Sequence, residues 1–276
     1  MSATPHHARA VNTTCGKLDS VYTISTALIT SCHRSPLVPP PPLSSTRSPA
    51  VLLSWMVHVL PQLEQSSLWE LSEQACRTGA RPYQSPPHVG YITPIKIYTC
   101  PADSHLTTAV KTPSGRTVAH TSYIGVAGTH NFQSEISSPY PTLATPGVLG
   151  NYPGCHFADV TDGTSNTLMV GERPPPNSYQ AGQWHTESFA LEKHGGPDGS
   201  LICFGAGHIG DPCGSGTSFG PGQVNNPCDR KHFWSLHRSG GNFLFVDGSV
   251  KFLPYSARDV IPALATRAGG EAGIIP

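Results

Sequence analysis

The chain has 276 residues, 17 basic against 17 acidic side chains, and only 12% charged residues. That balance leaves no global field to favour nucleic acid or an anionic membrane surface. Its 28 glycines and 28 prolines interrupt the chain too often for a helical bundle and suit short strands joined by many loops.

Residues 1–14 are polar and read as a disordered N-terminus. From Lys17 to Leu28, apolar Leu18, Val21, Ile24 and Leu28 fall at helical spacing, which predicts a helical segment over 15–35. The proline-rich stretch 36–50 cannot donate ladder hydrogen bonds and predicts an extended linker. Residues 51–276 then form the globular body. Within it, Leu63, Leu68, Trp69 and Leu71 are expected on one buried helical face. Ile92, Ile95, Ile97 and Tyr98 predict a strand ended by Cys100-Pro101, and residues 121–127 and 167–172 predict two more. Residues 195–231 are mostly Gly, Pro, Asn, Asp and Cys, a long loop that needs disulfides or ions for order.

The eight cysteines are dispersed and form no CxxC pair. Dispersal fits disulfides in an oxidising compartment better than a zinc site, with inert thiols as the alternative. At least one disulfide is expected among Cys203, Cys213 and Cys228, for instance Cys213–Cys228, because their loop is poor in apolar anchors. No stretch reaches the roughly 18 apolar residues of a membrane span, and no signal-peptide pattern is legible at the N-terminus.

Several motifs invite chemistry. Gly205-Ala-Gly-His-Ile-Gly210 matches a dinucleotide fingerprint and Gly216-Thr-Ser-Phe-Gly220 a nucleophile elbow. Both need a helix directly after the glycines, and Asp-Pro or Pro-Gly follows instead, so both read as loop. Asp159, Asp162, Thr164 and Asn166 place oxygens around Gly163 as calcium loops do, while a capped turn at Asp162-Gly163 explains the same residues. No EF-hand glutamate follows. Fourteen histidines raise a hydrolytic metal site built from His185, His194, His208, His232 and His237, yet no HExxH occurs.

The strongest local signal is Ser239-Gly-Gly-Asn-Phe-Leu-Phe-Val-Asp-Gly-Ser-Val-Lys-Phe-Leu253. A two-residue Asp247-Gly248 turn, with both residues at φ > 0, would pair Phe245 with Val250 and Phe243 with Phe252. Phe243, Phe245, Val250 and Phe252 would then share one buried face, with Ser249 and Lys251 on the other. His237 lies at the far end of that hairpin, so Asp247 is expected to turn the chain rather than to form a catalytic dyad.

His237 followed by nine residues and Asp247-Gly248 resembles the His-X9-Asp-Gly signature of a bacterial prepilin-like family, domain of unknown function 1559. Ser54-Trp-Met-Val-His-Val-Leu-Pro-Gln-Leu-Glu-Gln65, Cys100-Pro-Ala-Asp103, Asp162-Gly-Thr-Ser-Asn-Thr167 through Glu172, and the tail Ala263–Glu271 resemble its other motifs in order. The resemblance implies an α+β, pilin-like domain with an N-terminal helix remnant, an antiparallel sheet and long disulfide-supported loops. It also implies a non-enzymatic structural or surface protein of the cell envelope or exterior, related to type II secretion pseudopilins. Its partners would be pilin-like or further copies of itself; no cofactor, nucleic acid or membrane span is expected. The family's prepilin leader has no legible counterpart here, and Cys15–His33 would stand for the downstream part of its helix. Two other classes compete. One is an envelope module holding calcium or a glycan in the 159–166 and 195–231 loops, with Trp184 and Tyr179 lining the site; the other is a histidine-based metallohydrolase.

Overall fold

The body is built around strands whose two faces are both covered, and the burial pattern follows from their pairing. A computed structural model describes residues 53–77, 87–129, 147–149, 155–179, 181–185, 201–203, 213 and 218–271. The expected helical segment, the proline-rich linker, His194, His208 and the 205–210 glycine motif lie outside the described residues.

Helix α1 (Trp55–His58) starts at Ser54, whose hydroxyl accepts the Met56 N–H at 3.2 Å, an ordinary N-cap. A 3-10 turn over Leu60–Leu63 follows, with Pro61 in its first turn where no N–H is needed, and Glu64 reverses the chain at φ 59°. Helix α2 (Ser66–Arg77) buries Leu68, but Leu71 is 46% exposed. The expected four-residue face is therefore only partly made: Leu63 and Leu68 enter the core, Trp69 packs at its edge, and Leu71 points to solvent. The strand expected over 91–100 is also corrected. Helix α3 (Val89–Ile92) and a 3-10 turn (Lys96–Tyr98) occupy that stretch. His88 caps α3 by accepting the Gly90 N–H, and Tyr98 is buried with its hydroxyl donating to the Met56 carbonyl at 2.6 Å. Tertiary burial overrides a weak local β preference here.

Strands β1 (Val110–Lys111) and β2 (Thr117–Val118) make a small hairpin. The main sheet comprises β3 (Tyr123–Gly128), β4 (Leu168–Glu172), β5 (Leu201–Cys203), β6 (Gly240–Phe245) and β7 (Val250–Pro254) in the order β5-β3-β4-β6-β7. Strands 121–127 and 167–172 thus form as expected. All pairings are antiparallel except β3 with β5, which is parallel. A short helix α4 (Ile261–Leu264) closes the described chain. The class is α+β.

One core, with Trp55, Met56, Leu60, Tyr98, Tyr123, Val170, Trp184, Leu244 and Val246, covers one face of the sheet. The other face holds Ile124, Leu168, Phe219, Phe233, Phe243, Phe245, Leu253 and Ile261. A bulge decides how β4 serves both. Leu168 pairs with Phe245 and Val170 with Leu244, so Met169 is the extra residue, and it joins Val170 in the first core. At Gly171 a Cβ would come within 2.6 Å of the Phe243 ring and 2.7 Å of Phe233, so only glycine lets those rings close over β4.

The β6–β7 hairpin differs from its expected register by one residue. Leu244 pairs with Val250, Phe243 with Lys251 and Asn242 with Phe252. Phe245 donates its N–H to Ser249 at 2.9 Å and Gly248 donates to Phe245 at 3.0 Å, which makes the loop three residues long. Gly248 alone in that loop has positive φ, 83°, the glycine-bulge form of hairpin rather than the two-residue turn. The slip moves Val250 and Phe252 to the opposite face from Phe243 and Phe245, and Phe252 is 48% exposed. Lys251 takes the place beside the aromatics, its ammonium 4.2 Å from the Phe245 ring centre and donating to Ser165 O.

Asp247 accepts the Ser249 N–H at 2.8 Å and donates its own N–H to the Thr164 carbonyl at 3.1 Å. Asn preserves that acceptor, so Asp247→Asn should stay within about 0.5 kcal/mol of the native protein. Gly248→Val puts a β-branched residue at φ > 0 and should cost about 1–3 kcal/mol or more. Urea unfolding of both variants checks the order; equal losses would give the Asp247 charge a role beyond the turn.

Candidate functional site

Three of the motifs quoted above meet at one point on the first-core face of the sheet. Glu172, the last residue of β4, pairs with Tyr123 and faces the same side as Asn242. Its carboxylate is buried, with 2% of the residue exposed. Oε2 accepts the Asn242 backbone N–H at 2.7 Å, and Oε1 accepts the Asn242 amide at 3.2 Å. His237 Nε2 lies 3.3 Å from Oε1 and 3.8 Å from Cys100 Sγ. The donor atoms of Cys100, Glu172 and His237 all lie within 4.8 Å of one another.

Each is placed by local structure. Cys100 follows the Lys96–Tyr98 turn, and its N–H donates to Ser122 Oγ at 3.0 Å, while that hydroxyl donates to Asp103 at 3.3 Å. Asp103 also accepts the His105 N–H and so caps the next turn. Ser235 fixes the His237 segment: its hydroxyl accepts the His237 N–H at 2.9 Å and donates to the Gly240 carbonyl at 2.6 Å. Burial, then the neighbouring Glu172 charge, pushes the Cys100 thiol up to about 12. A thiol held protonated in that way is a poor nucleophile, unlike the depressed thiols of cysteine hydrolases.

Asp162 anchors a second junction. Its carboxylate accepts the Gly269 N–H at 2.7 Å and the Gly270 N–H at 3.0 Å, and its own N–H donates to Arg267 O at 3.1 Å. The Ala263–Glu271 tail is thereby tied to the Asp162-Gly163 loop. Asp159 instead accepts the His156 N–H at 2.7 Å, and Asn166 donates to the Asp162 carbonyl. Thr164 contributes its carbonyl to Asp247. Of these four residues, Asp159 and Asp162 thus use their carboxylates on backbone N–H groups, and Asn166 turns its amide to Asp162 itself.

The remaining candidates separate. Cys213 and Cys228 form a disulfide, and Cys203 lies on β5. That loop is further ordered by Asp229, which accepts from Gln223 N at 2.6 Å and from the Asn226 amide at 2.8 Å. Trp184, expected to line a glycan surface, is fully buried and donates its indole N–H to Thr93 O at 3.0 Å, because its bulk fills the first core. Tyr179 accepts a hydrogen bond on its carbonyl from His120 Nε2. His185 and His232 are buried and apart from His237; burial lowers the pKa of both, that of His185 to about 3. His237 and Asp247 make no dyad: the imidazole faces Glu172 and the carboxylate its own turn. Cys100 and Glu172 escaped the sequence reading as site residues. Each ends or borders a strongly patterned segment, and nothing local says that its side chain turns inward.

Replacing His237 with Leu strips the buried carboxylate of a partner and should cost about 1–3 kcal/mol. Glu172→Gln alone should also destabilise, and the double variant should lose less than the sum, with a coupling of about 1 kcal/mol. Chemical denaturation of the four-member cycle measures it; strict additivity would break the pairing. A pH dependence is expected from His120 and His185, which burial lowers to about 4 and about 3. Above the ordinary histidine value near 6.5 neither state binds these protons. As pH falls below it, the unfolded chain takes them up and the folded chain does not, so stability drops by about 1.4 kcal/mol per pH unit per histidine down to the folded pKa. His120→Gln should flatten the melting-temperature profile between about pH 6 and pH 4.

Comparison with curated proteins and with solved structures yields no match. The family model described as Protein of unknown function (DUF1559) matches residues 31–259, a span that includes Cys100, Asp162, Glu172, His237 and Asp247. The chain belongs to that family, as its ordered motifs led us to expect.

Proposed function

We propose that the protein is a non-enzymatic, pilin- or pseudopilin-like structural component of the bacterial cell envelope that works in an oxidising compartment. One observation carries this reading: the motif residues are engaged in holding distant segments together. Cys100, Glu172 and His237 gather three segments in the interior, Asp162 ties down the C-terminal tail, and Asp247 joins the hairpin to the Thr164 loop. A cavity among the described residues, lined by Pro221, Gln223, Asn226 and Asp229, contains none of them. The Cys213–Cys228 disulfide supports an oxidising location, since reducing compartments seldom preserve such bonds. No helix among the described residues is long and apolar enough to cross a membrane. Attachment to an envelope structure would run through assembly with pilin-like partners or further copies of the chain.

Antibody detection in fractionated native cells tests the location. The protein is expected in the envelope or outside the cell, with Cys213 and Cys228 oxidised when thiols are alkylated before reduction. Recovery from the cytosol with both thiols free overturns the reading. Calcium-dependent melting that disappears in Asp162→Asn would favour the calcium-binding module instead. In the oxidised protein, Cys213→Ser should cost about 3 kcal/mol, the chain-entropy value for a loop of this length.

A further inference from the structure

The Cys100, Glu172 and His237 cluster has the donor types, spacing and charge of a metal centre. We propose that these three side chains bind a zinc-class divalent cation, with the fourth position left to water. Zinc takes thiolate at about 2.3 Å, imidazole at about 2.0–2.1 Å and carboxylate at about 2.0–2.2 Å in a tetrahedron. Those lengths put sulfur and nitrogen about 3.6 Å apart, and nitrogen and oxygen about 3.3 Å apart. The corresponding separations here are 3.8 Å and 3.3 Å, and all three donor atoms lie within 4.8 Å of one another, so both imidazole edges already match a bound ion.

Charge favours the same conclusion. Metal binding would displace the Cys100 proton to solvent. The resulting thiolate, with one carboxylate and a neutral imidazole, balances a doubly charged ion and gives a buried site with no net charge. A mixed sulfur, nitrogen and oxygen set selects the borderline-soft metals over calcium or magnesium, which require oxygen alone. The outer partners are in place as well: Asn242 orients the carboxylate through two hydrogen bonds, and Ser122 holds the Cys100 backbone. The His237 side chain is 14% exposed, which supplies an entry path and a place for the water ligand. The ligands come from the Cys100 turn, the end of β4 and the segment before β6, so the ion would clamp three parts of the fold. This proposal is independent of where the protein resides.

The test uses the full chain, purified, stripped with chelator and reloaded. One equivalent of zinc is expected to bind and raise the melting temperature, and zinc-edge X-ray absorption should show one sulfur among nitrogen and oxygen neighbours. A shell lacking sulfur overturns the proposal, with or without folded variants. Cobalt(II) should give a thiolate charge-transfer band that Cys100→Ser abolishes, and His237→Gln should weaken binding at least tenfold. A band that survives Cys100→Ser, or an affinity unchanged in folded His237→Gln, places the metal elsewhere and also overturns it.

Discussion

The Glu172 carboxylate is a negative charge inside a protein, and its accommodation constrains everything around it. An unpaired buried carboxylate would cost several kcal/mol, so its partners must arrive with correct geometry before the sheet can close. Two come from Asn242 on β6, one through the backbone and one through the amide. The backbone bond fixes β6 beside the end of β4, and the adjoining ladder places Gly171 opposite Phe243. His237 then closes the site from the segment before β6.

That constraint explains why small residues accumulate near it. Gly171 must admit the Phe233 and Phe243 rings, and at Gly240 a Cβ would come within 2.0 Å of the Leu253 carbonyl. Ser235 and Ser122 lend hydroxyls to hold the backbones of His237 and Cys100. The aromatic core on the opposite face packs against the same strands, so polar geometry on one side and ring packing on the other are set by one β4–β6 register. A shift of that ladder would break both.

The two junctions have a common form. In each, a carboxylate from one motif accepts backbone N–H groups from another: Glu172 from Asn242, and Asp162 from Gly269 and Gly270. Charge-assisted bonds to backbone are roughly twice as strong as neutral ones, and they impose position without demanding a particular partner side chain. In a chain so rich in glycine and proline, where few long helices or strands occur among the described residues, such point attachments do much of the organising. The Cys213–Cys228 bridge does the same covalently for a loop with little apolar material.

Sequence patterning by itself determined the strands near 121–127 and 167–172, the turn at Asp247-Gly248 and the disulfide in the cysteine-rich loop, while the α+β class came from the family resemblance. The strands, the turn and the disulfide each depend on local chemistry: β-branched runs, a glycine at positive φ, a short span between thiols. Tertiary structure decided the rest. Whether Phe252 is buried depends on a hairpin register that two- and three-residue loops set oppositely, and both accept Asp-Gly. Ile92 and Tyr98 fall in helical turns, with Ile95 extended between them, and Ile95 and Tyr98 enter the core from that broken backbone. Cys100, Glu172 and His237 are far apart in the chain, and only strand pairing brings them together. Spacing along a sequence carries no information about contacts that the sheet register creates.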